Sequence, residues 1–314
     1  MQTLDNNVKS ALNEKPGFHV WWRMLRPHTL TASFIPVFVG TMLATLDQAF
    51  SFLLFLAMLI ASLLIQAATN MFNEYFDYVR GLDNENSIGI GGTIVRDGIK
   101  PKTVRNLANT FIGVAMLLGV FLCIQSNWWV MAVGLICILQ GYLYSGGPRP
   151  IAYTPFGELS SGFFMGTVII AISYFIQTGQ LTGNVFLISI PVAIFIGLIN
   201  LANNIRDHDG DKENGRKTIA ILIGQKNAIH LLGIMFILNY LLTIIYIVIG
   251  ILPLWSLITL LSLKMANNAY KGFKGKKYNY EMMSAMGFSA KTNTIFGFLL
   301  GLSLLIQLFI PITF

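Results

Sequence analysis

The stretch NMFNEYFD, Asn70–Asp77, leaves the end of the apolar run SFLLFLAMLIASLLIQAAT, and NLANNIRD, Asn200–Asp207, leaves the end of FLISIPVAIFIGLI. In both, an Asn is followed three residues on by a second Asn and four residues later by an Asp, the two copies lying 130 positions apart. Asn73 and Asp77 are spaced i, i+4, as are Asn203, Asp207 and Asp211, so each set shares one face wherever the helix continues past the apolar run. Two apolar segments that end in the same ladder of oxygens and point the same way predict a parallel internal repeat, its copies facing each other.

Composition sets the solvent in which that repeat folds. Of 314 residues, 54% are hydrophobic and 11% charged, with a mean hydropathy of +0.65; a soluble domain carries about 25% charged residues. The reading is an all-α, polytopic membrane protein that lies in a lipid bilayer, with residues 1–314 forming one transmembrane domain. No short apolar region followed by a small-residue cleavage site stands near Met1, so the first span is expected to serve as its own insertion signal.

A helix needs about 20 apolar residues to cross the hydrocarbon core. On that criterion nine transmembrane helices are expected, at about 29–47, 51–73, 107–125, 128–144, 159–178, 184–203, 228–248, 250–268 and 293–313, forming a bundle with cytoplasmic cap loops. The eighth holds Lys264, which would have to snorkel. All 21 Lys and Arg residues fall in the N-terminal arm or in and beside the loops after the second, fourth, sixth and eighth spans. This places the N-terminus and the large loops in the cytoplasm and the C-terminus outside. Trp21 and Trp22 near one interface, and Trp128, Trp129 and Trp255 near the other, fit aromatic belts. The net charge of +7 follows from this topology and from anionic inner-leaflet lipid, so no nucleic-acid partner is expected. The basic run KGFKGKKYNY, which contains Lys277, reads as a topology determinant. Cys123 and Cys137 have no CxxC or Cys/His context and read as packing residues.

The acids are as unevenly placed as the bases. Only Asp47 of the fourteen lies on the outer side, while Asp77, Asp83, Asp207, Asp209 and Asp211 gather where the second and sixth spans end. Carboxylates at a membrane edge are costly, and at a helix C-terminus they oppose the macrodipole. Solvated helix ends would explain one such Asp; two ladders call for a bound cation. Mg²⁺ suits them, because it takes carboxylate and amide oxygens and completes its shell with water and substrate phosphate. Bases to hold such phosphates stand close by: Arg80, Arg96 in IGIGGTIVRDG, and Lys212, Arg216 and Lys217 in DGDKENGRKT. The four histidines form no metal-spaced cluster, and no Ser/His/Asp or Cys/His arrangement points to a protein nucleophile.

NEYFDYVRGLD and NNIRDHDGDKENGRKT resemble the two aspartate-rich motifs of the UbiA superfamily of intramembrane prenyltransferases, and the resemblance covers almost the whole chain. RPHTL, GGTIVRDGIKP and GYLYSGGPRPIAYTPFGEL resemble its 1,4-dihydroxy-2-naphthoate polyprenyltransferase branch. The six-residue step from Asp77 to Asp83, broken by Gly81, departs from the closer spacing of the 4-hydroxybenzoate branch. The resemblance implies transfer of a polyprenyl group from polyprenyl diphosphate to 1,4-dihydroxy-2-naphthoate, with loss of CO₂ and diphosphate, giving demethylmenaquinone for menaquinone synthesis in a bacterial cell membrane. It also implies that Asn73, Asp77 and Asp83 hold one Mg²⁺ and Asn203, Asp207 and Asp211 another, with Asp77, Asp207 and Asp211 central to catalysis. Arg80, Arg96, Lys212, Arg216 and Lys217 would bind the diphosphate, and Arg26, His28, Tyr144 and Arg149 the acceptor. Asp209 reads as a solvated extra acid, Asn70 and Asn200 as either interhelical or supporting partners, and Glu158 as a helix cap or a receiver of the ring proton.

Three alternatives share some of these features. A related prenyltransferase with another aromatic or lipid acceptor would need similar neighbours. A secondary transporter also uses duplicated halves, but its polar groups belong near the midplane rather than at one face. A CDP-alcohol phosphotransferase needs Asp-Gly followed by Ala-Arg, whereas Asp209-Gly210 is followed by DKENGRK.

Overall fold

The computed structural model describes residues 17–83 and 92–312, in which every regular element is helical. The short α1 (Phe18–Met24) leads through Arg26, held at φ 52°, into α2 (Pro27–Leu46), whose proline occupies the first turn; a missing N–H costs nothing there. There follow α3 (Phe52–Val79), the short α4 (Thr93–Asp97), α5 (Pro101–Gln125) and α6 (Trp129–Ser145). The second half holds α7 (Gly157–Thr178), α8 (Gly183–Arg206), the short α9 (His208–Glu213) and α10 (Ile219–Ile223), α11 (Gln225–Val248), α12 (Leu263–Phe273) and α13 (Met283–Phe309).

Each of the nine expected spans falls on a helical segment, but among the described residues only seven helices are long and apolar enough to cross a membrane. The fourth, α6, is apolar but has 17 residues. The eighth divides into a 3₁₀ stretch, Leu254–Ser262, and α12. Within the 3₁₀ stretch the Thr259 hydroxyl donates to the Ser256 carbonyl (2.7 Å) and Ser262 to that of Thr259 (2.6 Å). Side chains that bond back to the backbone compete with α-helical pairing, and Lys264, Asn267, Asn268 and Lys271 then make α12 polar.

Helix α2 lies inside the bundle, packed against α3, α7 and α13, while α8 packs against α7, α11 and α13. Close approach of α13 to α2 depends on Gly297 and Gly301: a Cβ there would stand 2.0 Å from Ile35 Cγ2 and 2.3 Å from Phe38 Cε1. In lipid, where apolar burial does not drive helices together, such small-residue contacts gain dispersion energy instead. Around them Phe195, Phe296 and Leu300 form part of a fully buried core. The helices α3, α5, α6 and α7 share a second packed cluster that includes Leu122, Val130 and Phe175, and they also line a cavity.

Candidate active site

Helix α3 runs two turns beyond its apolar part, so Asn73 and Asp77 project from one continuous helix. The chain then turns at Gly81, φ 74°, and the amides of Leu82 and Asp83 donate to the Asp77 carbonyl at 2.9 and 3.3 Å. That turn brings Asp83 back beside Asp77. The second motif differs. Helix α8 stops at Asp207, with φ −91° and ψ 7°, and the chain re-enters a helix as α9. The Asp211 amide still donates to the Asp207 carbonyl (2.8 Å), so the ladder bends without losing its register.

Both ladders open on one cavity of about 750 Å³, lined at its mouth by Asn73, Asp77 and Asp83 on one side and Asn203, Asp207 and Asp211 on the other. Arg216 joins them. Its guanidinium donates to Asp77 Oδ1 at 2.9 Å and lies 3.1 Å from Asp211 Oδ1, and it stacks over the Tyr153 ring at 4.9 Å. Burial disfavours the charge of Arg216, but Asp77 and Asp211 outweigh that and raise its pKa. Arg206, buried, makes a bidentate pair with Asp207 at 2.8 and 2.6 Å.

Charge is in excess of its partners here. Burial, with the nearby Asp77 charge, raises Asp83 from 3.8 to about 6. Burial raises Asp211 from 3.8 to about 7, with Arg216 opposing and Asp207 and Asp77 adding to the shift. Asp211 Oδ2 is buried without a hydrogen bond. A raised carboxyl pKa means that the folded chain holds more protons than the unfolded one, so stability is present at low pH and is lost as pH rises through the folded values. The melting temperature of the metal-free protein should therefore fall between about pH 4 and pH 7, the window of these two shifts. Added Mg²⁺ should raise it most at the upper end; a melting temperature flat across this window, with or without Mg²⁺, would contradict the assignment.

The remaining expected residues divide by position. Arg26 and Tyr144 line the cavity, and the Tyr144 hydroxyl accepts from the Asn200 amide at 2.6 Å. The backbone of His28 lies in the first turn of α2; its side chain, like residues 84–91, falls outside the described residues. Arg80 donates to the carbonyls of Ser145 and Gly147 (2.9 Å to the latter) and stacks on Phe76 and Tyr153, tying α3 to the exit of α6. Arg149, Lys212 and Lys217 are exposed and stand outside the cavity wall. Arg96 lies in α4, which is clamped from two sides: buried Glu74 accepts from the Thr93 hydroxyl and from the Ile94 amide (2.9 Å), and Arg23 pairs with Asp97 at 2.6 Å.

Asn70 and Asn200 have distinct roles. The Asn70 amide donates to the Leu25 carbonyl and the Thr29 hydroxyl, both at 2.9 Å, and so supports the left-handed Arg26. Asn200 supports Tyr144. Asp209 is exposed beside His208 at the mouth. Glu158 is buried in the first turn of α7, where Oε1 accepts from Asn204 at 2.9 Å.

Two features have no short motif in the sequence. Lys277 and Asn279, in the run read as a topology determinant, line the cavity mouth. Glu281 holds that loop by accepting from the amides of Lys277 and Tyr278, both at 3.1 Å. The other feature is the apolar arm below the mouth, which no short motif encodes. Met58 and Asp77, both on α3, line its two ends; at 1.5 Å per residue they are about 28 Å apart, close to the roughly 30 Å of a bilayer's hydrocarbon core.

A helical bundle with an acidic, arginine-bridged mouth above a membrane-deep apolar arm is the architecture of an intramembrane prenyltransferase, and the chain belongs to the UbiA prenyltransferase family, whose model matches residues 33–281. It is 49% identical over 308 residues, 98% of this chain and 99% of the relative, to the 1,4-dihydroxy-2-naphthoate octaprenyltransferase of Bacillus subtilis (strain 168). Its fold is similar to that of a UbiA homolog from Aeropyrum pernix K1, with a TM-score of 0.68 at 14% identity, covering 88% of this chain and 97% of that one. It is also similar to a UbiA homolog from Archaeoglobus fulgidus bound to DMAPP and Mg²⁺, with a TM-score of 0.63 at 16% identity, covering 88% of this chain and 96% of that one.

Proposed function

We propose that this integral membrane enzyme transfers a polyprenyl group from polyprenyl diphosphate to 1,4-dihydroxy-2-naphthoate, with loss of CO₂ and diphosphate, on the route to menaquinone. One observation carries the reading: the Asp77–Arg216–Asp211 bridge stands at the head of an arm that is apolar and as deep as a monolayer pair. A diphosphate and a long hydrocarbon tail are the two halves of one substrate, and the cavity offers a matching half to each.

Asn73, Asp77, Asp83, Asn203, Asp207 and Asp211 are the residues that would hold Mg²⁺. The donor set fits: hard oxygens on two facing elements, an orphaned buried oxygen on Asp211, and carboxyls whose charge burial and mutual repulsion disfavour. Bound there, the metal supplies Lewis-acid stabilisation of the departing diphosphate. Arg216 already bridges the two carboxylates as a cation, and it turns its fork to phosphate oxygens when they arrive. Arg26 and Lys277, which both line this cavity, add positive charge where diphosphate departs.

The allylic C–O bond breaks as diphosphate leaves, a C–C bond forms to the electron-rich ring, and the ring releases its carboxylate as CO₂. Tyr144, oriented by Asn200, presents its ring and hydroxyl below the mouth, where they face the allylic carbon and the acceptor. The apolar walls keep water from the cation. The mouth and its basic loops face the cytoplasm, consistent with the distribution of Lys and Arg, and the C-terminus lies outside.

Purified protein, given octaprenyl diphosphate and Mg²⁺ with 1,4-dihydroxy-2-naphthoate or 4-hydroxybenzoate in parallel, tests the reading by product mass. A prenylated naphthoquinol lacking the carboxyl, absent with EDTA, is the expected result. Product from the benzoate alone would overturn the acceptor, and no product from either would overturn prenyl transfer.

A further inference from the structure

The arm is lined chiefly by bulky apolar side chains, among them Met58 and Ile65 of α3, Leu122 of α5 and Ile172 of α7. Two glycines interrupt this lining, Gly119 on α5 and Gly134 on α6. Neither is required by the backbone: both lie inside regular helices and outside the positive-φ glycines. Neither is required by helix packing either, because a Cβ built at each position meets nothing within 4 Å. This separates them from Gly141 of the same cavity, where a Cβ would stand 2.7 Å from Thr69 Oγ1. Gly119 shares a helix face with Ala115 and Leu122, and Gly134 with Val130 and Ile138, all of which line the cavity, so glycine, among the poorest helix formers, acts at these two positions on the cavity side. The missing side chains widen the arm.

Their depth sets which part of a donor they meet. Gly134 lies ten residues before Tyr144 on α6, about 15 Å deeper in the arm. A short prenyl group attached to a diphosphate at the mouth ends above that level, whereas a long one must pass it. We infer that Gly119 and Gly134 set the acceptance of long prenyl donors, by leaving room in the deep half of the arm for the distal isoprene units. The inference rests on the reading that the donor's diphosphate sits at the mouth and its tail in the arm.

Gly134→Leu and Gly119→Leu are the test, with geranyl diphosphate (two isoprene units) and octaprenyl diphosphate (eight) as donors and 1,4-dihydroxy-2-naphthoate as acceptor. Leucine is the better helix former and its Cβ meets no protein atom, so both variants should insert and melt like the parent. The expected result is a fall of at least about tenfold in kcat/KM for the octaprenyl donor, as one blocked subsite worth 1.4 kcal/mol would give, with the geranyl donor changed less than about threefold. Gly113→Leu serves as the control. It lies on the same helix with an equally open Cβ but outside the arm, and should alter neither donor.

Equal loss of both donors, or no loss of either, would overturn the inference while leaving prenyl transfer intact. So would a selective loss in Gly113→Leu, since it would show a general effect of bulk on α5. If the unsubstituted protein transferred neither group, the reading of the site would fail and the inference with it.

Discussion

Asp77→Asn should lower prenyl transfer by about 10³-fold or more while leaving the protein inserted and folded. The carboxylate is placed to act twice. It is an oxygen donor on the first ladder, and it holds one arm of the Arg216 fork at 2.9 Å. Loss of a single preorganised electrostatic contact at a developing charge costs about 10²–10³-fold in rate, and on the proposed reading the charge of a metal ligand would go with it. The amide keeps the size of the side chain and retains a carbonyl that can accept from Arg216, and Asp211 remains to pair the guanidinium, so the fold should survive. Single-turnover transfer from octaprenyl diphosphate, read beside a thermal melt, measures both effects. Activity within tenfold of the parent would rule out the two-ladder mechanism. Asp207 is a poorer first target: its removal leaves Arg206, buried and bidentate to it, as an unpaired internal charge, a change that costs about 3–5 kcal/mol. A dead Asp207→Ala variant would therefore mix catalysis with stability.

Arg216→Ala should cost about 10²–10³-fold in kcat, and Arg216→Lys should recover only part of it. Lysine keeps the charge but lacks the planar fork that reaches Asp77 and Asp211 together. The alanine variant has a second signature. It leaves the two buried carboxylates facing each other with no cation between them, so its melting temperature without metal should fall further than that of the lysine variant, and Mg²⁺ should restore much of the difference. Full turnover in Arg216→Ala would reduce this residue to a structural bridge, whereas a loss that lysine fully rescues would show that charge alone matters and the fork does not.

The candidate site was legible to the extent that it is written in local spacing. Asn73 and Asp77 are four residues apart on a helix that does continue, so the pattern translates directly into a face. Asp211 follows Asp207 at the same i, i+4 spacing, and only the bend of the chain at Asp207 goes beyond it; Asp83 was legible as an acid, but not as a group brought back by a glycine turn. Arg80 shows the reverse. It stands in the first motif and reads as a diphosphate ligand, yet it donates to two backbone carbonyls of the α6 exit, a use that depends on which loop the fold places beside it. Lys277 lies in a run of like charges whose distribution is fully accounted for by topology. Its place at the mouth comes from the packing of α12 and α13 against the rest of the bundle.

Helicity, residence in a membrane and the ending of two oxygen ladders at one face are all written in the order of the residues. Apolar length, charge asymmetry and i, i+4 spacing are local quantities, and the bilayer converts them into structure because every backbone group in lipid must be satisfied within its own helix. Tertiary structure alone decided that Arg216 joins Asp77 to Asp211, that Lys277 stands at the mouth, and that an apolar arm runs beneath them past Gly119 and Gly134. Those are relations between helices. They depend on how far each pair approaches, which is set by contacts such as Gly297 on Ile35 and Gly301 on Phe38, and a cavity is the space that such packing leaves unfilled.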